Sequence, residues 1–171
     1  MEKKIYEEKP LAFEEVISVG IVTTIIRLGI TETEEGWECN EICINHKEPH
    51  LDMDYVKKVI VDYINSKTDE RILSGFVWNG TNVWLSDENQ RNFSEAQRVA
   101  MITGGQSLPM TFKLGEDSEG NPVYHEFTAV EELTGFYLSA VAYINQCLNE
   151  GWQEKDNIDW SQYGISDDAV Q

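Results

Sequence analysis

Four zinc-type ligands, Cys39, Cys43, His46 and His50, fall within twelve residues. A structural zinc ion needs four side chains converging tetrahedrally, usually from two ligand pairs separated by a longer loop. The segment holding the two cysteines, WECNEICIN over residues 37–45, reads as a β-strand. On a strand, Cys39 and Cys43 share a face but stand four rises of about 3.3 Å apart, and His46 points to the other face. The favoured reading is a strand with two small thiols and a polar exit, and no metal or cofactor is expected.

The other reactive residue types are equally dispersed. Cys147 falls on an apolar helical stripe with no basic or histidine neighbour in sequence, as expected of a core thiol. His125 stands alone within a strand candidate. The acid pairs Glu14-Glu15, Asp87-Glu88 and Glu131-Glu132 are adjacent in sequence, and adjacent side chains on one element do not face each other. Two of those pairs sit at predicted helix starts, where carboxylates complement the helix dipole. Residues 115–121, GEDSEGN, have an acidic calcium-loop flavour without the alternating ligand spacing or closing Glu of an EF-hand. Nucleophile-elbow, phosphate-loop and zinc-protease motifs are absent. The expected protein is not an enzyme.

Charge narrows the partners. Thirteen basic residues stand against thirty-one acidic ones, a net of −18. A field of that sign repels nucleic-acid phosphates and anionic lipid, so neither is expected as a partner, while a basic protein surface suits it. The longest apolar run, Val16 to Leu28, is broken by Ser18, Gly20, Thr23, Thr24 and Arg27, too short and polar to span a bilayer. Three cysteines and a charged N-terminus point to a reducing cytoplasm as the site of synthesis.

The elements predicted to position these residues make an α+β chain. Residues 14–30 are rich in β-branched residues and pair with 37–45 across the acidic stretch 31–36 as an N-terminal β-hairpin, with Gly20 marking a bulge or a break. After Pro49, apolar residues at Leu51, Tyr55, Val59, Ile60, Tyr63 and Ile64 predict an amphipathic helix of about four turns. GFVWNGTNVWLS, residues 75–86, places Asn79-Gly80 between two strand-forming runs, the signature of a type I′ hairpin with Trp78 opposite Thr81 and Phe76 opposite Val83. Ser86 caps a second helix, whose inner face is Phe93, Ala96, Val99 and Ala100 and which Gly104-Gly105 stops. Strands at 110–114 and 123–128 form another hairpin. Thr128-Ala-Val-Glu131 fits a capping box ahead of a last helix stopped at Gly151.

Three regions follow: 1–66, a β-rich and helical region that could dock; 67–151, a β-hairpin–helix–β-hairpin–helix domain; and 152–171, an extended acidic tail whose removal should leave the fold intact. The protein-interface candidates are Trp78 and Trp84 on the hairpin and Trp152, Trp160 and Tyr163 on the tail. Large aromatic side chains anchor interfaces because they bury much area at low rotamer cost.

Ser74-Gly75-Phe76-Val77-Trp78-Asn79-Gly80, then Leu85-Ser86 with Gln90 and Asn92, then Phe127-Thr128-Ala129-Val130-Glu131, together resemble a domain of unknown function found in bacteriophage tail-fibre and tail-fibre-assembly proteins. The opening KPLAFEEVISVGIVTTIIRLG with CNEICINH resembles small phage and prophage proteins of gut Bacteroidales. These motifs specify a hairpin and helix caps, so no functional residue is carried over. The resemblance implies a tail- or fibre-associated structural or adaptor protein of the virion, made in the bacterial host cytoplasm. It would contact other phage structural proteins and further copies of itself. An assembly chaperone absent from the mature particle is the alternative. A DNA mimic that inhibits a host defence enzyme is disfavoured, because the acids are scattered over loops, strands and helix starts.

Overall fold

A computed structural model of the chain describes residues 2–47 and 50–165. The elements run β1 Glu2–Tyr6, β2 Phe13–Ser18, β3 Ile21–Thr33, β4 Gly36–His46, α1 Met53–Ser74, β5 Phe76–Trp78, β6 Thr81–Val83, α2 Asp87–Thr103, β7 Met110–Glu116, β8 Pro122–Phe127 and α3 Val130–Asp156. A 3-10 turn, Trp160–Tyr163, follows. The architecture is α+β. The chain forms two compact units, the first holding residues 1–63 and 157–171 and the second 64–156. The break falls inside α1, so its two halves serve different cores.

The first unit is built on an antiparallel sheet of order β1-β4-β3-β2. The expected N-terminal hairpin is therefore half of a four-stranded sheet. Gly20 separates β2 from β3 as a turn, and the charged opening EKKIY adds β1 beside β4, pairing Tyr6 with Trp37. No local pattern announces β1; its strand state comes from the free edge of β4. Alternate residues Val22, Thr24, Ile26 and Leu28 of β3 are buried, as the pleat requires. Asn40, opposite Leu28, donates to the Tyr63 hydroxyl of α1 at 2.8 Å. Val56, Ile60 and Tyr63 form the buried stripe of this half of the helix.

The second unit closes around aromatic rings. The β5–β6 hairpin pairs Phe76 with Val83 and Trp78 with Thr81, and Asn79 and Gly80 take φ values of 48° and 80°. Such a turn requires both angles positive. Ser86 accepts from the Asn89 N–H as the α2 cap, and Gly104 ends that helix in the left-handed conformation. The core gathers Phe76, Val83, Leu85, Phe93, Ala96, Ala100, Leu114, Phe127, Leu133, Phe136 and Ala140. Phe136 is its centre, with ring centroids 4.9 Å from Phe93, 5.1 Å from Phe127 and 5.1 Å from Trp78.

Several boundaries differ from the expected ones. α1 runs to Ser74, well beyond four turns, because burial of Ile64 and Thr68 in the second unit sustains it. The 66/67 boundary stands three residues from the break between the compact units, and both fall within α1. α3 begins at Val130, with Leu133 N–H donating to Ala129 C=O at 3.2 Å, one residue later than the capping box implies. It passes through Gly151 and ends at Asp156. Gly151 is not a stop: a Cβ there would stand 2.4 Å from Thr68 Oγ1, so glycine allows α1 and α3 to approach. The extended tail is corrected in the same way. Trp152–Asp156 complete α3, and residues 160–163 make a 3-10 turn capped by the Asp159 side chain. Ile165 beyond it is buried, so removing 152–171 strips core from the first unit. The strand break expected at Pro49 and the tail residues 166–171 lie outside the described residues.

Candidate interaction surfaces

The four zinc-type residues do not converge. Cys39 is buried and Cys43 exposed, His46 meets Thr24 Oγ1 at 2.7 Å, and His50 meets Glu15 Oε2 at 2.9 Å. Burial, with the nearby Glu41 carboxylate, pushes both thiols above their ordinary pKa, which disfavours thiolate chemistry. Among the described residues no group of three His, Cys, Asp or Glu side chains could hold a metal ion. Cys147 is buried in α3, where burial and its hydrogen bond push the neighbouring Tyr143 hydroxyl up to about 12. His125 is half-buried, meets Glu132 at 2.9 Å and stands edge-on to Trp78. In the GEDSEGN loop the Asp117 carboxylate is occupied by the N–H groups of Glu119 and Asn121, the bonds that lower its pKa.

Among the described residues a largely buried polar cluster centres on Arg27. Arg27 and Glu41, opposite each other on β3 and β4, lie on the sheet face away from Ile26 and Ile42. The Arg27 guanidinium donates to Glu41 at 2.9 Å, Glu14 at 3.0 Å, the Leu11 carbonyl at 2.9 Å and the Tyr6 hydroxyl at 3.1 Å, while Tyr6 donates to Glu41. Burial alone would raise the Glu41 pKa, but the hydrogen bonds from Tyr6 and Arg27 outweigh it and hold the carboxyl low. All three guanidinium nitrogens are engaged, so the cluster ties β1, β2 and the strand-linking residues to the sheet.

The aromatic candidates separate in the structure. Trp78 is half-buried against Phe127, Phe136 and His125, one ring of the second unit's core. Trp84 keeps 37% of its surface exposed, with the Lys113 ammonium 5.1 Å from its ring centroid. Trp152, at 53%, is the most exposed of the five. Trp160 and Tyr163 are half-buried in the first unit, where the Tyr163 hydroxyl donates to the Arg27 carbonyl at 3.5 Å.

Two apolar surfaces stand out that sequence reading did not assign. In the first unit, β2 is a sheet edge, and its hairpin with β3 exposes Val16, Ile17, Val19 and Ile21. Val19 is wholly exposed at φ +47°, a left-handed conformation that β-branched residues resist. In the second unit a groove of about 800 Å³ runs between α1, α2 and α3, floored by Ile72, Leu73, Leu85, Ile144 and Leu148. It continues through Asp69 and Leu148 into a depression of about 260 Å³ beside Trp152. At the other end Leu85, Gln90 and Ile144 join it to an apolar cleft of about 120 Å³ bounded by Phe93 and Tyr137. Asp69, Asp87 and Glu88 stand along the groove, with Arg91 among them. The sequence signal was present in Ile72-Leu73, apolar residues just ahead of Ser74-Gly75, which only a longer α1 assigns to a helix.

The family comparison covers the second unit, with its aromatic core, type I′ hairpin and capped helices, and extends beyond it on both sides. The chain belongs to the DUF4376 family, a domain of unknown function, whose model matches residues 55–170. No curated protein and no solved structure matches the chain. Among the described residues no helix is long and apolar enough to cross a membrane.

Proposed function

We propose that this chain is a non-enzymatic structural or adaptor component of a bacteriophage virion, tail- or fibre-associated, that acts through protein–protein contacts. The observation carrying the contact role is the second unit's groove, an apolar floor left open beside a complete aromatic core. Exposed contiguous apolar surface costs solubility and marks interaction sites on folded proteins. The virion context rests on the resemblance of the 74–92 and 127–131 motifs to a tail-fibre-associated domain. The partners are then other phage structural proteins and further copies of the chain, assembled in the bacterial host cytoplasm.

Quantitative mass spectrometry of purified particles tests this reading. A fixed copy number per particle is expected. Absence from particles together with co-purification on fibre subunits would mark an assembly chaperone instead. Absence from both overturns the reading.

A further inference from the structure

We infer that the groove between α1, α2 and α3 receives an amphipathic helix of a different, basic protein, with lysines and arginines flanking an apolar stripe. The inference rests on the contact role proposed above and names the chemistry of the occupant.

Length is the first argument. The joined depressions follow α3 from Tyr137 to Trp152, fifteen steps, or about 22 Å at 1.5 Å per residue. That is four turns of a docked helix, the length over which i, i+3, i+4 and i+7 anchors fill an apolar channel. Composition is the second. The floor offers Ile72, Leu73, Ile144 and Leu148, and beyond Asp69 the run ends at Trp152, whose ring is half in solvent.

Charge decides the occupant. Asp69, Asp87 and Glu88 border the joined depressions with no ion-pair partner among the described residues, against Arg91 and against Lys155, whose ammonium donates to Asn65 at 3.1 Å. Asp87 and Glu88 also complement the α2 N-terminus, so their position is fixed by the fold while their outer oxygens stay available. A second copy of this chain, at net −18, meets that border with the wrong sign. So does the segment 166–171, which carries Asp167 and Asp168 and no base. Complementary charge steers association and rejects acidic helices.

The test uses the full chain and a fluorescently labelled Leu/Lys peptide of about 18 residues, designed to be amphipathic as a helix. Two controls are a scrambled peptide of identical composition and a Leu/Glu counterpart. Anisotropy titrations are expected to show saturable binding of the amphipathic cationic peptide alone, at least about tenfold tighter than either control. Leu73→Lys, at a half-exposed floor position, and Asp69→Lys, at the border, should each weaken it about tenfold. Leu138→Lys, on α3 but outside the groove, should leave it unchanged, with circular dichroism confirming helix content in all three variants. Equal binding of the scrambled peptide, or equal effects of Leu73→Lys and Leu138→Lys, overturns the inference. If the chain is stoichiometric in particles but these titrations fail, the contact role stands and the helix falls. Success in the titrations with absence from particles and fibre subunits keeps the helix site and removes the virion role.

Discussion

The two units solve burial in opposite ways. The first buries a charge cluster: Arg27 and Glu41 are almost wholly enclosed, and apolar Val16, Ile17, Val19 and Ile21 are left outside. The second buries aromatic rings around Phe136 and leaves its carboxylates at the edge of an open groove. A buried ion pair adds little net stability over an apolar substitute, but losing one partner is costly because the other stays desolvated. The first unit is thus tied in register by polar specificity, while the second draws its stability from packed area.

The sharpest break of this contrast is Phe136→Ala. Removing a fully buried ring that touches four others should cost the second unit about 3–5 kcal/mol. Amide exchange resolved by unit should show that loss in residues 64–156. Next comes Glu41→Ala, expected to cost the first unit about 1–3 kcal/mol in denaturant melts, because Arg27 keeps Glu14 but loses its more deeply buried partner and the Tyr6 hydroxyl loses its acceptor. The double change Arg27→Met with Glu41→Leu should recover most of that loss, and a failure to recover would mean that the cluster contributes stability as well as register.

Acid should separate the units too. Burial pushes Glu41 and Glu15 upwards, but their hydrogen bonds, from Tyr6 and Arg27 and from His50 and the Leu51 N–H, hold both low. A carboxyl lowered on folding stabilises above its unfolded pKa of about 4.3 and loses that contribution as pH falls through the folded value. The first unit should therefore open before the second on titration below about pH 4, monitored by unit-resolved exchange, and Arg27→Met/Glu41→Leu should narrow the gap.

Smaller effects sharpen the contrast further. Deleting residues 157–171 removes the buried Ile165 and should cost the first unit about 2 kcal/mol, read from the same melts. Val19→Asn relieves a left-handed β-branched residue at a hairpin turn and should raise first-unit stability by up to about 1 kcal/mol. A fall in stability there would place Val19 in a packing contact within the unit.

Part of this was written locally in the chain. Asn79-Gly80 between Phe76-Val77-Trp78 and Thr81-Asn82-Val83 set the hairpin and its register, since a two-residue turn with two positive φ angles leaves no other pairing. Ser86 set the start of α2, and Gly104 its end, through backbone groups within four residues. The separation of Cys39 and Cys43 along one face of β4 likewise followed from strand geometry. The tertiary structure alone decided what depends on distant partners. Glu2–Tyr6 became a strand because β4 offered an unpaired edge, and α1 continued to Ser74 because the second unit buried Ile64 and Thr68. Gly151 stayed helical because α1 needed the room of a missing Cβ. The groove emerged only when Leu73, Leu85 and Leu148, far apart in sequence, came to line one surface. Local signals act over a helical turn or a tight hairpin, whereas burial is a property of the whole packed unit, and so the interaction surface could not be read from spacing alone.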